Sequence, residues 1–103
     1  MNLNHEINKI ILKLNNKEFK EVINNCEKLI KLKIKNTIIY NFYGLAYQNL
    51  ELYEKSIIKF EKAIELNADN YYAINNLAVS LKAVEKYKLS EKAYQKCLKI
   101  KPD

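Results

Sequence analysis

A chain of 103 residues makes at most one domain, which is small for an independent enzyme. Nearly half its residues are hydrophobic and it has one glycine and one proline, a poverty of breakers that excludes a many-turned β-sandwich and favours helices joined by short turns. The formal charge of +6 includes no arginine and is unevenly spread: eight lysines against four carboxylates in residues 1–36, three against five in 37–70, and seven against three in 71–103. A nucleic-acid surface usually gathers arginine and lysine on one face, so nucleic acid is not an expected partner.

In chain order, the spacing of apolar residues predicts six helices, at roughly 3–14, 19–33, 37–50, 53–67, 71–84 and 87–100. In the first, Leu3, Ile7, Ile10, Ile11 and Leu14 are interleaved with Asn, Glu and Lys, which is neither a signal sequence nor a membrane span. The second carries Phe19, Val22, Cys26 and Leu29, and ends in Lys28, Lys31, Lys33 and Lys35, a solvated end that complements the helix dipole. The third carries Tyr40, Tyr43, Gly44 and Tyr47; the fourth carries Ile57, Phe60, Ala63 and Ile64 at spacings of three and four. Asn36-Thr37 and Asp69-Asn70 supply N-cap oxygens for the third and fifth helices. The pairs are joined by turns too short for anything but antiparallel neighbours.

An offset of 34 residues lays the chain on itself: Phe19, Tyr53 and Tyr87 coincide, as do Cys26, Phe60 and Tyr94, and Leu29, Ala63 and Cys97. A fixed period that holds large and small sites together marks a repeated unit. Gly44 sits in mid-helix, where it costs about 1 kcal/mol relative to alanine, so two helices are expected to approach there too closely for a Cβ. Its counterpart is Ala78. In the first unit a strict offset sets Glu6, Lys9 and Lys13 on core positions, so the turn at Asn15-Asn16-Lys17-Glu18 is expected to be two residues longer than its counterparts.

The middle unit resembles a tetratricopeptide repeat, whose pattern is W-x2-L-G-x2-Y followed by A, F, A and P. Tyr40, Tyr43, Gly44 and Tyr47 stand for its first half; Ser56, Phe60, Ala63 and Ala68 stand for its second. Ile74, Leu77, Ala78, Leu81, Ser90, Tyr94, Cys97 and Pro102 give the third unit. The resemblance implies an all-α, right-handed superhelix of three helix-turn-helix units, about 1–36, 37–70 and 71–103, in one domain. It implies a noncatalytic scaffold that binds a peptide or protein segment in a concave groove lined by the first helix of each pair. The alternative is the N-terminal module of a larger enzyme, such as a glycosyltransferase or sulfotransferase, docking its substrate.

The groove positions are then Asn41, Leu45, Gln48 and Asn49 in the second unit and Tyr72, Asn75, Val79 and Lys82 in the third. With the longer first turn, His5, Lys9, Leu12 and Lys13 join them. Asn41 and Asn75 are one period apart, and their amides would form a short ladder suited to an extended backbone. Some relatives clamp a terminal carboxylate with Lys, Asn and Arg; Phe42, Tyr72 and Asn76 fill those places here, so a heat-shock chaperone tail is not an expected ligand.

No catalytic, cofactor or metal site is expected. His5 is the one histidine, and Cys26 and Cys97, 71 residues apart, read as buried thiols of a reducing, cytoplasmic compartment. The final helix, with Leu89, Ala93, Cys97 and Ile100, lacks a polar capping element, which suggests a fragment of a longer protein or self-association through that end.

Overall fold

The computed structural model describes residues 1–102, and within them the chain forms α1 (Leu3–Asn15), α2 (Phe19–Lys31), α3 (Thr37–Asn49), α4 (Tyr53–Leu66), α5 (Tyr71–Ala83) and α6 (Tyr87–Ile100). The six helices fall where the apolar spacing sets them, except that α2 ends sooner than expected because Lys33 turns into the left-handed region at φ 66°. Each helix packs against its neighbours in sequence, giving a body of 40 × 25 × 24 Å.

Two features recur at the 34-residue period and fix the register of all three pairs. The first helix of each pair is capped by an asparagine: Asn2 accepts from the His5 amide, Asn36 from the Ile38 and Ile39 amides, and Asn70 from the Ala73 amide. Each intra-pair turn holds a left-handed residue, Lys17, Glu51 and Glu85, at φ 60°, 62° and 64°. Just after it, the Glu18, Leu52 and Lys86 amides donate back to Lys13, Tyr47 and Leu81 carbonyls at 2.9, 2.9 and 2.8 Å, closing the same helix-ending turn three times.

The first turn is therefore no longer than the others, which corrects the sequence expectation. The strict offset holds and Glu6, Lys9 and Lys13 do occupy family core positions. They are not buried: the equivalent Tyr40, Tyr43 and Tyr47 of the second pair pack against residues of the first, whereas Lys9 is exposed and Glu6 and Lys13 are half-buried. Lys9 pairs with Glu6 at 3.6 Å, and Lys13 reaches Glu18 at 3.2 Å and Glu21 at 2.7 Å. These carboxylates raise the Lys13 ammonium above its ordinary value, Glu21 first. Ile10 is fully buried, with Ile7 and Leu14 half-buried against it, while Ile11 is left at the surface.

Within the middle pair the expected close approach occurs. A Cβ on Gly44 would lie 2.5 Å from both Cδ1 and Cε1 of Phe60, whose ring is fully buried. The space is thus demanded by a large ring on α4. Ile10 with Cys26 and Ala78 with Tyr94 stand one period away from Gly44 with Phe60, at the equivalent positions of the first and third pairs. Tyr87, the third member of the Phe19 and Tyr53 set, is 59% exposed rather than buried.

Candidate functional site

The array curves because its first helices touch one another and its second helices do not: α1 contacts α3 and α3 contacts α5, but α2 does not reach α4, nor α4 reach α6. The closely spaced side is the inside of the bend, so α1, α3 and α5 line the concave face. The open side of these helices carries Ile11, Leu45 and Val79, one period apart, of which Leu45 is half-buried, with the exposed Ile38 and Tyr72 beside them. Ile11 and Val79 are 38% and 41% exposed and Tyr72 is 63% exposed.

Between the first two pairs this face deepens into an open cleft of about 480 Å³. Ile11 and Leu14 of α1, Phe19 at the start of α2, and Phe42 and Leu45 of α3 form its apolar walls; Asn15, Lys17 and Asn49 stand at its polar edge. The α1 residues escaped sequence reasoning, because the longer-turn register put His5, Lys9, Leu12 and Lys13 there instead, and Phe42 enters that reasoning only as a residue standing where a carboxylate clamp would be. The missed signal was Asn2, one period before Asn36 and Asn70, which fixes the true register and brings Ile7, Ile11, Leu14 and Asn15 onto the concave side.

The amides of the groove are arranged differently from the ladder expected between Asn41 and Asn75. Asn41 is buried, and its Oδ1 accepts from Nδ2 of Asn76 at 3.0 Å, so the rung is offset by one residue. Nε2 of Gln48 donates to the Asn76 carbonyl at 2.9 Å and to Ser80 Oγ at 2.8 Å. Ser80 in turn meets Ser56 Oγ at 2.7 Å, and Ser56 donates to the Tyr53 carbonyl. Asn49 Nδ2 bonds the Leu45 carbonyl, while Asn75 is half-buried and Lys82 exposed. Asn41 and Gln48 thus belong to the seam between the second and third pairs.

The tyrosines of α3 lie toward α4 and α2. Tyr40, Tyr43 and Tyr47 stack in succession at 6.5 and 5.2 Å, with Lys59 over Tyr43 at 4.5 Å and Lys55 over Tyr47 at 5.6 Å. Tyr43 donates to Glu27 of α2 at 3.0 Å; burial first, and that bond, hold its phenol above the ordinary range. Both thiols are buried and free: Cys26 points at the Ile39 carbonyl and Cys97 at the Tyr71 carbonyl. Among the described residues no group of His, Cys, Asp or Glu is placed to hold a metal ion, and no helix is long and apolar enough to cross a membrane.

The family model described as tetratricopeptide repeat matches residues 38–70 and again 71–103, the two pairs with the fuller set of pattern residues. The chain belongs to the tetratricopeptide repeat family. Tetratricopeptide repeat protein 37 of Xenopus laevis is 31% identical over 90 residues, a match that takes in 84% of this chain and only 6% of that protein. This tetratricopeptide array also superposes on solved relatives at low identity. The Arabidopsis OM64 TPR domain has a TM-score of 0.90 at 18% identity, with 96% of this chain and 82% of that one covered. The second TPR of Spaghetti (RPAP3), solved bound to the HSP90 peptide SRMEEVD, has 0.91 at 15%, covering 95% and 85%. MamA has 0.91 at 20%, covering 98% and 59%. These likenesses establish an all-α helical-repeat solenoid.

Proposed function

We propose that this tetratricopeptide array is a noncatalytic interaction scaffold, which holds a peptide or protein segment of a partner against the concave face of α1, α3 and α5. The observation that carries this reading is the open apolar stripe Ile11, Leu45 and Val79 running into the cleft beneath Phe42. Apolar side chains left facing solvent at a fixed period on the inner side of a curved array are costly unless something covers them. Leu45, Asn49, Tyr72, Asn75, Val79 and Lys82 are the groove residues offered to a ligand; Asn41 and Gln48 act by setting the curvature beneath it. A cytoplasmic setting is part of the reading and suits the two unpaired thiols.

The second TPR of Spaghetti (RPAP3) is bound to the HSP90 peptide SRMEEVD, whereas here Phe42 walls an apolar cleft and Asn76 spends its amide on Asn41. A ligand gripped through apolar side chains suits this groove better than one held by a terminal carboxylate. The test is site-directed photo-crosslinking, with benzoylphenylalanine placed at Asn49 or Tyr72 in the groove, or at Gln95 on the outer helix α6. Adducts to a common partner from Asn49 and Tyr72, absent from Gln95, are the expected result. Equal capture from all three positions, or none from the groove, overturns the proposal.

A further inference from the structure

We infer that the segment this groove accepts is an amphipathic α-helix with acidic flanks rather than an extended chain; the inference rests on the scaffold reading above. The spacing comes first. Ile11, Leu45 and Val79 lie on α1, α3 and α5, the first helices of successive pairs, which touch one another; helices in contact pack about 8–10 Å apart, so a ligand presents an apolar side chain at about that interval. A β-strand repeats a face every ~7 Å and does not match. A polyproline helix repeats every ~9 Å, and an α-helix places residues i and i+7 about 10 Å apart on one face.

Hydrogen bonding decides between these two. A polyproline segment carries open N–H and C=O groups, which lose water on entering an apolar groove and need partners there. Most groove amide N–H groups are engaged within the array, since Gln48 donates to Asn76 and Ser80, Asn49 to Leu45 and Asn76 to Asn41, which leaves Asn15 and Asn75, too few to partner an extended backbone along the whole groove. An α-helix satisfies its own backbone and asks only for an apolar stripe, which this face supplies. The stripe ends in the open cleft between α1 and α3, whose volume of about 480 Å³ has room for a bulky anchor side chain.

Charge sets the flanks. Neither α3 nor α5 carries a single carboxylate, and none lines the cleft. Lys17 stands at the cleft edge and Lys82 is exposed at the far end, and neither has an ion-pair partner among the described residues. Acidic side chains on the ligand meet cations at both ends of the groove.

The test is selection of a displayed random 16-residue peptide library on the full 103-residue chain, followed by binding of the enriched peptides to Val79→Asp, Ile11→Asp and Lys82→Glu. These positions are surface-exposed, and far-UV circular dichroism confirms that the variants fold. The expected peptides carry apolar residues at i, i+3 or i+4 and i+7 with an excess of Asp and Glu. Their helical signal rises on binding, a central proline weakens them at least tenfold, and Val79→Asp or Ile11→Asp does the same. Lys82→Glu weakens them several-fold, most at low salt. Enriched peptides that lack helical periodicity or tolerate the proline, yet depend on Val79 and Ile11, overturn the helical inference and leave the scaffold reading standing. Peptides indifferent to both groove substitutions, or no enrichment at all, overturn both.

Discussion

Gly44 is the residue on which the middle pair closes. Because Phe60 is walled in, its ring has nowhere to go when a Cβ arrives at 2.5 Å. Gly44→Val is expected to destabilise the chain by about 1–3 kcal/mol or more through overpacking, seen as a lower urea midpoint. The first pair suggests the remedy, since there a large Ile10 faces a small Cys26, and both are buried. Combining Gly44→Ile with Phe60→Cys should cost less than the sum of the two single changes, with a coupling of at least about 1 kcal/mol in a double-mutant cycle. Additive losses would show that the two sites do not share one volume. In the third pair the methyl of Ala78 takes the glycine's place and Tyr94 stands 36% exposed, so the compensation there is incomplete.

Cys26 gives the second residue-scale prediction. Burial, and to a lesser degree Glu27, push its thiol up to about 12. In the unfolded chain a thiol ionises near pH 8.5. Above that pH the unfolded state sheds a proton that the folded state keeps, so this contribution to stability is full below about pH 8.5 and is lost as pH rises toward 12. Tyr43, also raised, adds a loss of the same sign. Denaturant titrations at pH 8 and 10.5 should show the chain weakening, and Cys26→Ala should reduce the slope. An identical slope in that variant would remove Cys26 as the cause.

Among the elements, the seams between pairs differ in kind although they occupy equivalent positions. Where the second seam has Asn41, Gln48, Ser56, Asn76 and Ser80, the first has Ile7, Leu14, Val22, Phe42 and Ala46, each one period earlier. The first is an apolar contact, while the second is a directed relay running from Gln48 through Ser80 and Ser56 to the Tyr53 carbonyl. No side-chain nitrogen or oxygen buried among the described residues lacks a partner. Gln48→Leu alone should cost about 1–3 kcal/mol by stranding polar atoms beneath it. Exchanging all five residues for their first-seam counterparts removes donors and acceptors together and should be neutral or stabilising, as read by thermal melting. A five-residue variant weaker than Gln48→Leu would refute the equivalence of the seams.

The helices, their pairing and the repeat were legible in the sequence because size and periodicity agree at Gly44, Phe60 and Ala63. The register of α1 was not, since Glu6, Lys9 and Lys13 look unacceptable at positions that are apolar in the other two pairs. In the fold these charges satisfy one another at the surface, Lys9 with Glu6 and Lys13 with Glu18 and Glu21. Of the groove positions that the family resemblance implies, Tyr72 and Val79 are exposed and Leu45 is half-buried, as their helical phase sets them. The pairing of Asn41 with Asn76 could not, because both Asn75 and Asn76 are within an amide's reach by period and only three-dimensional packing chooses.

For the molecule as a whole, the unlike seams imply unequal opening. Parting the third pair from the second uncovers amides and hydroxyls that water can satisfy, whereas parting the first from the second uncovers Ile7, Leu14 and Phe42. Sub-global unfolding should therefore begin at the C-terminal pair. Amide hydrogens at the centres of α5 and α6 are expected to exchange through openings at least about 1 kcal/mol cheaper than those of α2 and α3, measurable by native-state exchange in low denaturant. Exchange at one common free energy throughout would mean that the array opens as a single unit. If the order holds, the groove is a hinge with one firm jaw and one that yields: α1 and α3 stay fixed around the cleft while α5, carrying Val79 and Lys82, is the part that adjusts to what it holds.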